Sequence, residues 1–133
     1  MNIINAILIE RRLKKCFKKA RSVISKAHLF GKNEIKYEYL NNKNTRINFS
    51  LLFESEWVTL SYGLIPDSVR DEATKMVKQN LAAFFKDYIG NRIEIEKSKR
   101  FDDFRSEMDI KFIPKLAEQI SKMANEYISS GKL

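Results

Sequence analysis

Cysteine and histidine occur once each, at Cys16 and His28. A lone thiol excludes an internal disulfide framework and any cysteine-based zinc site. A lone imidazole excludes most histidine-rich metal or relay chemistry. The four glycines are scattered and build no phosphate cradle. The apolar run Ile3 to Ile9 is broken by Asn5 and is far shorter than the roughly 20 residues a bilayer span requires. It also lacks the basic lead-in and small-residue cleavage site of a secretory signal. The expected setting is therefore cytoplasmic and reducing. No cofactor is expected, and no catalytic motif stands out.

What the chain has is an ordinary globular composition over 133 residues, 44% hydrophobic and 11% aromatic. That suits a single domain over 1–133 with its own core and argues against disorder. No internal repeat or linker divides it. The net charge is +8, and nearly all of it lies between Glu10 and Ala27. Arg11, Arg12, Lys14, Lys15, Lys18, Lys19, Arg21 and Lys26 face the single Glu10 there, while the other 115 residues carry 17 basic and 16 acidic groups. Charge concentrated in this way points to an acidic partner or to one highly hydrated face.

Helical projection gives this segment a shape. Ile9, Leu13, Cys16, Phe17, Ala20, Val23, Ile24 and Ala27 fall within an arc of about 120°, and the basic residues occupy the opposite half. One side is built for a core, the other for water or a partner. Ile3, Ile4, Ile7 and Leu8 break the pattern, because they project onto the side that later becomes basic. They are candidates for an oligomer interface. Cys16 reads as a small core residue, and His28 sits where a helix C-terminus favours positive charge.

Gly31 suits the end of this helix. Alternation then predicts strands: Ile35 to Tyr39; Ile47, Phe49, Leu51 and Phe53; and Trp57 to Leu64. Asn41 to Thr45 reads as a turn, and Trp57 as core rather than an exposed anchor. Pro66-Asp67-Ser68 opens a second helix with Ser68 and Asp71 at capping-box spacing. Its apolar stripe is Val69, Ala73, Met76, Val77, Phe84 and Tyr88, and Gly90 ends it. Arg92 to Lys97 reads as a fourth strand, and Met108, Ile110 and Phe112 as a fifth. Between them lies a charged hairpin tip. Pro114 begins a last helix with Leu116, Ile120, Met123 and Tyr127 inward. The expected fold is α+β, an antiparallel β-sheet in the order α-β-β-β-α-β-β-α with helices packed on it.

The basic helix could dock on an acidic protein surface, follow phosphates, or rest on an anionic membrane. Its polar face offers only Lys, Arg and Ser, which makes sequence-specific readout of nucleic acid a poor fit. Pro66-Asp67 and Asp109-Ile110-Lys111 resemble fragments of a metal nuclease, in which carboxylates hold a divalent ion beside a lysine. Pro66-Asp67 already has a role in starting a helix. The cluster Asp102, Asp103, Glu107 and Asp109 matches no calcium loop.

The element order, from the first helix through strands near 34–40, 46–53 and 57–64, helix 68–89, strands near 92–97 and 107–112, and helix 114–129, resembles the type III secretion chaperone-like fold. That resemblance implies a bacterial-type homodimer that binds protein partners and does no chemistry. Such chaperones are typically acidic, whereas this chain has a net charge of +8. The first five elements also resemble a double-stranded RNA-binding domain, but Ser68 to Glu72 is acidic where that family carries lysines. The reading is thus a non-enzymatic binding module of the chaperone, adaptor or inhibitor kind, expected to be a homodimer. It would present Arg11 to Lys26 to an acidic protein surface. Nonspecific nucleic-acid binding is the alternative, and a metal-dependent nuclease a distant third.

Overall fold

Asn42 marks where the chain leaves the expected meander. Its backbone is extended (φ −82°, ψ 122°), and its side-chain oxygen accepts hydrogen bonds from the N–H groups of Asn44 at 2.8 Å and Thr45 at 3.4 Å. This is an N-cap, which satisfies donors that would otherwise be orphaned at a helix start. The segment read as a turn and two strands is the helix Lys43–Leu60.

The structure is a computed structural model and describes residues 4–27, 40–90 and 103–131, all organised by helices. We label them α1 (Ala6–Ala27), α2 (Lys43–Leu60), α3 (Asp67–Gly90), α4 (Asp103–Ser106) and α5 (Ile113–Ser129), with a π-helical segment Glu107–Phe112 joining α4 to α5. No strand occurs among the described residues, so the α+β sheet is replaced by an all-helical bundle. The element order that carried the chaperone-like and RNA-binding-domain resemblances is therefore not the order the chain adopts. The strands expected at 35–39 and 92–97, His28, Gly31 and Ile3 lie outside the described residues.

α1 packs on α2 and α5, α2 on α3, and α3 on α5, which closes a four-membered ring. Contacts between the helices set their directions. Ile4 at the start of α1 meets Asn125 late in α5, while Phe17 meets Phe104. Phe84 meets Phe112, Tyr88 meets Phe104, and Phe49 meets Phe85. Neighbours around the ring are thus antiparallel. The α2–α3 link, Ser61 to Pro66, is short enough to require it. Gly63 takes φ +74° within that link, a left-handed conformation that a side chain would strain.

The centre of the bundle is aromatic, with one ring each from α1, α2, α3 and α4. Phe49 lies 6.0 Å from Phe17, 5.6 Å from Phe85 and 5.4 Å from Phe104, all edge-on, the geometry ring quadrupoles favour. Along α2 the buried ladder is Thr45, Phe49, Phe53 and Trp57, at a spacing of four. The expected core face of α1 holds, with Ile9, Leu13, Cys16, Phe17, Ala20 and Ile24 buried and Val23 half-buried. On α3, Val69, Ala73, Val77 and Tyr88 are buried as expected, Met76 and Phe84 are half-buried, and Leu81 and Phe85 join them. On α5, Leu116 and Ile120 are buried, and Met123 and Tyr127 pack at the edge.

The fifth expected strand and the described end of the hairpin tip, Asp103 to Glu107, are also helical. At the end of the π-helical segment the N–H of Ile113 bonds to the carbonyl of Met108, five residues back. Pro114 follows and has no N–H to donate, a situation that disrupts regular α-winding. The core-facing ladder accordingly steps from Phe104 to Met108 to Ile113, with Ile110 turned out to solvent.

Candidate partner-binding surface

α1 presents the expected charge. Arg11, Lys14, Lys15, Lys18, Lys19 and Lys26 are exposed, while Arg12 and Arg21 are half-buried. Among the described residues the ion pair on this face is Lys14 with Glu10, at 3.9 Å and on an exposed surface. A pair of that kind contributes little. Lys14–Lys18, Arg11–Lys15 and Lys15–Lys19 are like charges four residues apart, an arrangement that weakens a helix.

Arg21 differs from the other seven. Its guanidinium stacks over the Phe17 ring at 5.0 Å, and its buried Nε has no hydrogen-bond partner. Burial first, then the charge of Arg105, lowers its pKa from the ordinary arginine value, and Asp109 opposes that shift. Arg21 is thus a packing residue as well as a bearer of charge.

The N-terminal apolar residues divide. Ile4 is half-buried and tied down within the chain. Its N–H donates to Asn125 Oδ1 at 2.7 Å, and its carbonyl accepts from Asn125 Nδ2 at 3.1 Å and from Ser121 Oγ at 2.8 Å. Ile7 and Leu8 stand out, 59% and 42% exposed. Projected at 100° per residue, Ile7 lies in line with Arg11, Lys14 and Lys18, and Leu8 with Lys15, Lys19 and Lys26. The surface of α1 is therefore cationic with an apolar end.

The nuclease-like fragments do not meet. Asp67 begins α3 and pairs with Arg70 at 2.6 Å. Asp109 belongs to the π-helical segment beside the opposite end of α3, about 25 Å away along the bundle at 1.5 Å per residue. Lys111 is paired with Glu107 at 2.9 Å, and Asp109 lies 4.0 Å from Arg105. Among the described residues no three His, Cys, Asp or Glu side chains come together in a way that could hold a metal ion. Cys16 is buried, and burial, reinforced by the Glu56 carboxylate, pushes its thiol from 9.0 up to about 12. At neutral pH it is an inert thiol rather than a nucleophile.

One feature escaped the sequence reading. Ile47 and Leu51, assigned to the same buried face as Phe49 and Phe53, are 44% and 59% exposed, and Val58 is exposed in line with them. The signal was present in the spacing: two i, i+4 ladders offset by two residues mimic strand alternation. No described helix is long and apolar enough to cross a membrane. Comparison with protein-family models, with curated proteins and with solved structures found no match.

Proposed function

We propose that this protein is a non-enzymatic binding module that docks an acidic protein surface against the outer face of α1. The observation carrying the proposal is the row Arg11, Lys14, Lys15, Lys18, Lys19 and Lys26, exposed along one face with a single weak ion pair among the described residues. Uncompensated cations on a folded helix raise the encounter rate with an acidic partner and fix its register. Ile7 and Leu8 favour protein over nucleic acid, because an exposed apolar pair gains nothing from a phosphate backbone and much from an interface core. A homodimer through Ile7 and Leu8 would set two copies of the basic face near each other, so these residues are assigned to the partner.

The test is a pull-down from nuclease-treated native lysate. It compares the wild type with a variant carrying Lys14→Glu, Lys15→Glu, Lys18→Glu and Lys19→Glu, both checked for helicity. A partner captured by the wild type and lost by the variant supports the reading. An unchanged partner set means the face is only solvated. Binding to generic duplex DNA or RNA at about 50 mM salt, where counterion release favours it most, would move the assignment to nucleic acid.

A further inference from the structure

α2 and α3 enclose an open groove of about 700 Å³ on the outside of the bundle. Its floor is apolar, formed by Ile47 and Leu51 of α2 with Ala82, Phe85 and Ile89 of α3. Lys43, Arg46, Lys78 and Lys86 rim it, against the single carboxylate of Glu54. The smaller pocket of about 210 Å³ between α3 and the π-helical segment differs, because Asp87 and Glu107 there balance Lys111 and Lys115.

From these observations we infer that the α2–α3 groove is a docking site for an acidic amphipathic helix of a partner protein. Along α2 the lining runs from Lys43 to Glu54, and along α3 from Lys78 to Ile89. Either stretch is about 16 Å of helix, three turns. Two antiparallel helices side by side leave a trough into which a third helix seats its i, i+3, i+4 and i+7 side chains. The rim sets the sign of the occupant. Because α2 and α3 run in opposite directions, Lys43, Arg46 and Lys86 gather at one end, and Glu54 and Lys78 at the other. Arg46 spends one N–H on the carbonyl of Leu40, at 2.8 Å. Lys43, Lys78 and Lys86 are exposed. Carboxylates flanking the apolar stripe of the incoming helix meet these cations. A second copy of this chain is a poor occupant, because an isologous dimer would set the same four cations against themselves. The site shares no residue with α1, so it stands or falls separately from the reading given above.

The probe is a fluorescein-labelled peptide of about 15 residues, with leucine at every third or fourth position and glutamate and alanine elsewhere. A control carries lysine in place of glutamate. Anisotropy should show saturable binding of the glutamate peptide, weakened about tenfold or more by Leu51→Glu and by Lys86→Glu. Both positions are exposed, so neither change threatens the fold. The quadruple α1 variant should bind it within about twofold of wild type. Absence of binding, equal affinity for the lysine peptide, or indifference to Leu51→Glu overturns the proposal. So does a dimer in light scattering that Leu51→Glu dissociates, which assigns the groove to a second copy. Sedimentation with anionic phospholipid vesicles that Leu51→Glu abolishes overturns it as well, in favour of a lipid surface.

Discussion

Phe49 and Leu51 are two residues apart, and their truncation separates the helical bundle from a half-buried strand. On a strand they share a face and lose similar burial. On α2 they lie on opposite sides, Phe49 fully buried and Leu51 59% exposed. Phe49→Ala removes the ring that touches Phe17, Phe53, Phe85 and Phe104 at centroid distances of 5.4 to 6.1 Å. Deleting a buried phenylalanine costs about 3–5 kcal/mol, the lost transfer energy plus the cavity left behind. The edge-on contacts with rings on α1, α3 and α4 place this site toward the upper end, since such ring pairs add to area burial. Leu51→Ala should stay within about 0.5 kcal/mol, because half its side chain is already in water and alanine is the better helix former. The assay is urea unfolding followed by far-ultraviolet circular dichroism, with both midpoints referred to wild type. A total stability of about 5–15 kcal/mol leaves room for the larger loss. If Phe49→Ala does not fold, Phe49→Leu still reads the same face at a cost of about 1–2 kcal/mol. Equal costs for Phe49→Ala and Leu51→Ala would refute the helical assignment of α2.

Cys16 makes stability depend on alkaline pH. Its folded pKa lies near 12, against 9.0 for the free thiol, so the unfolded chain releases its proton first. This contribution is whole below about pH 9 and falls by about 1.4 kcal/mol per pH unit as pH rises toward 12. Urea midpoints between pH 8 and 10.5 should therefore drop more steeply for wild type than for Cys16→Ala, and parallel slopes would refute the burial. Asn125→Ala removes two of the three side-chain hydrogen bonds that hold Ile4, leaving its carbonyl on Ser121 Oγ and its backbone N–H without that acceptor. A loss of about 1–3 kcal/mol and faster amide exchange at Ile4 are expected, and unchanged exchange would mean that the contact does not hold the chain there.

How much of this was legible in the sequence depended on whether each helix has one apolar face or two. α1, α3 and α5 each bury one stripe, and the 3.6-residue period showed it: Leu13, Phe17 and Ile24; Val69, Ala73 and Val77; Leu116 and Ile120. α2 carries Phe49 and Phe53 toward the core and Ile47 and Leu51 toward the groove. The four recur at every second position as a strand's would, with the polar Asn48 and Ser50 between the first three, and periodicity over so short a window cannot separate the two. The signal that could have decided was Asn42, an N-cap read as a turn residue, which Thr45, Phe49, Phe53 and Trp57 follow at intervals of four. The π-helical segment misled for a different reason. Its wider winding breaks the helical spacing between Met108 and Ile113, and Met108, Ile110 and Phe112 then imitate a strand. The basic row of α1 was fully legible because it needed only charge and a helical projection. The groove was not, because it exists only once α2 and α3 are side by side.

The outer surface of the bundle is not uniform in how it treats its own charge. α3 pairs Asp67 with Arg70 and Glu72 with Lys75, and the segment from α4 into the π-helix pairs Arg105 with Asp109 and Glu107 with Lys111. Each pair is one turn apart, the spacing at which opposite charges support a helix. α1 does the reverse, setting Lys14 above Lys18 and Lys15 above Lys19, each repulsion weakening the helix by about 0.2–0.5 kcal/mol. α2, its neighbour in the ring, turns Ile47, Leu51 and Val58 to solvent, where burial would have gained about 25 cal/mol for each Å² covered. Both departures act against the stability of the isolated chain, and both fall on adjacent helices of one side. Partners would relieve both, carboxylates neutralising α1 and apolar side chains covering α2. On the reading proposed above, the working surface would run from α1 across α2 to the α2–α3 groove, and the segment from α4 into the π-helix, with its self-paired charges, would belong to the scaffold that holds it.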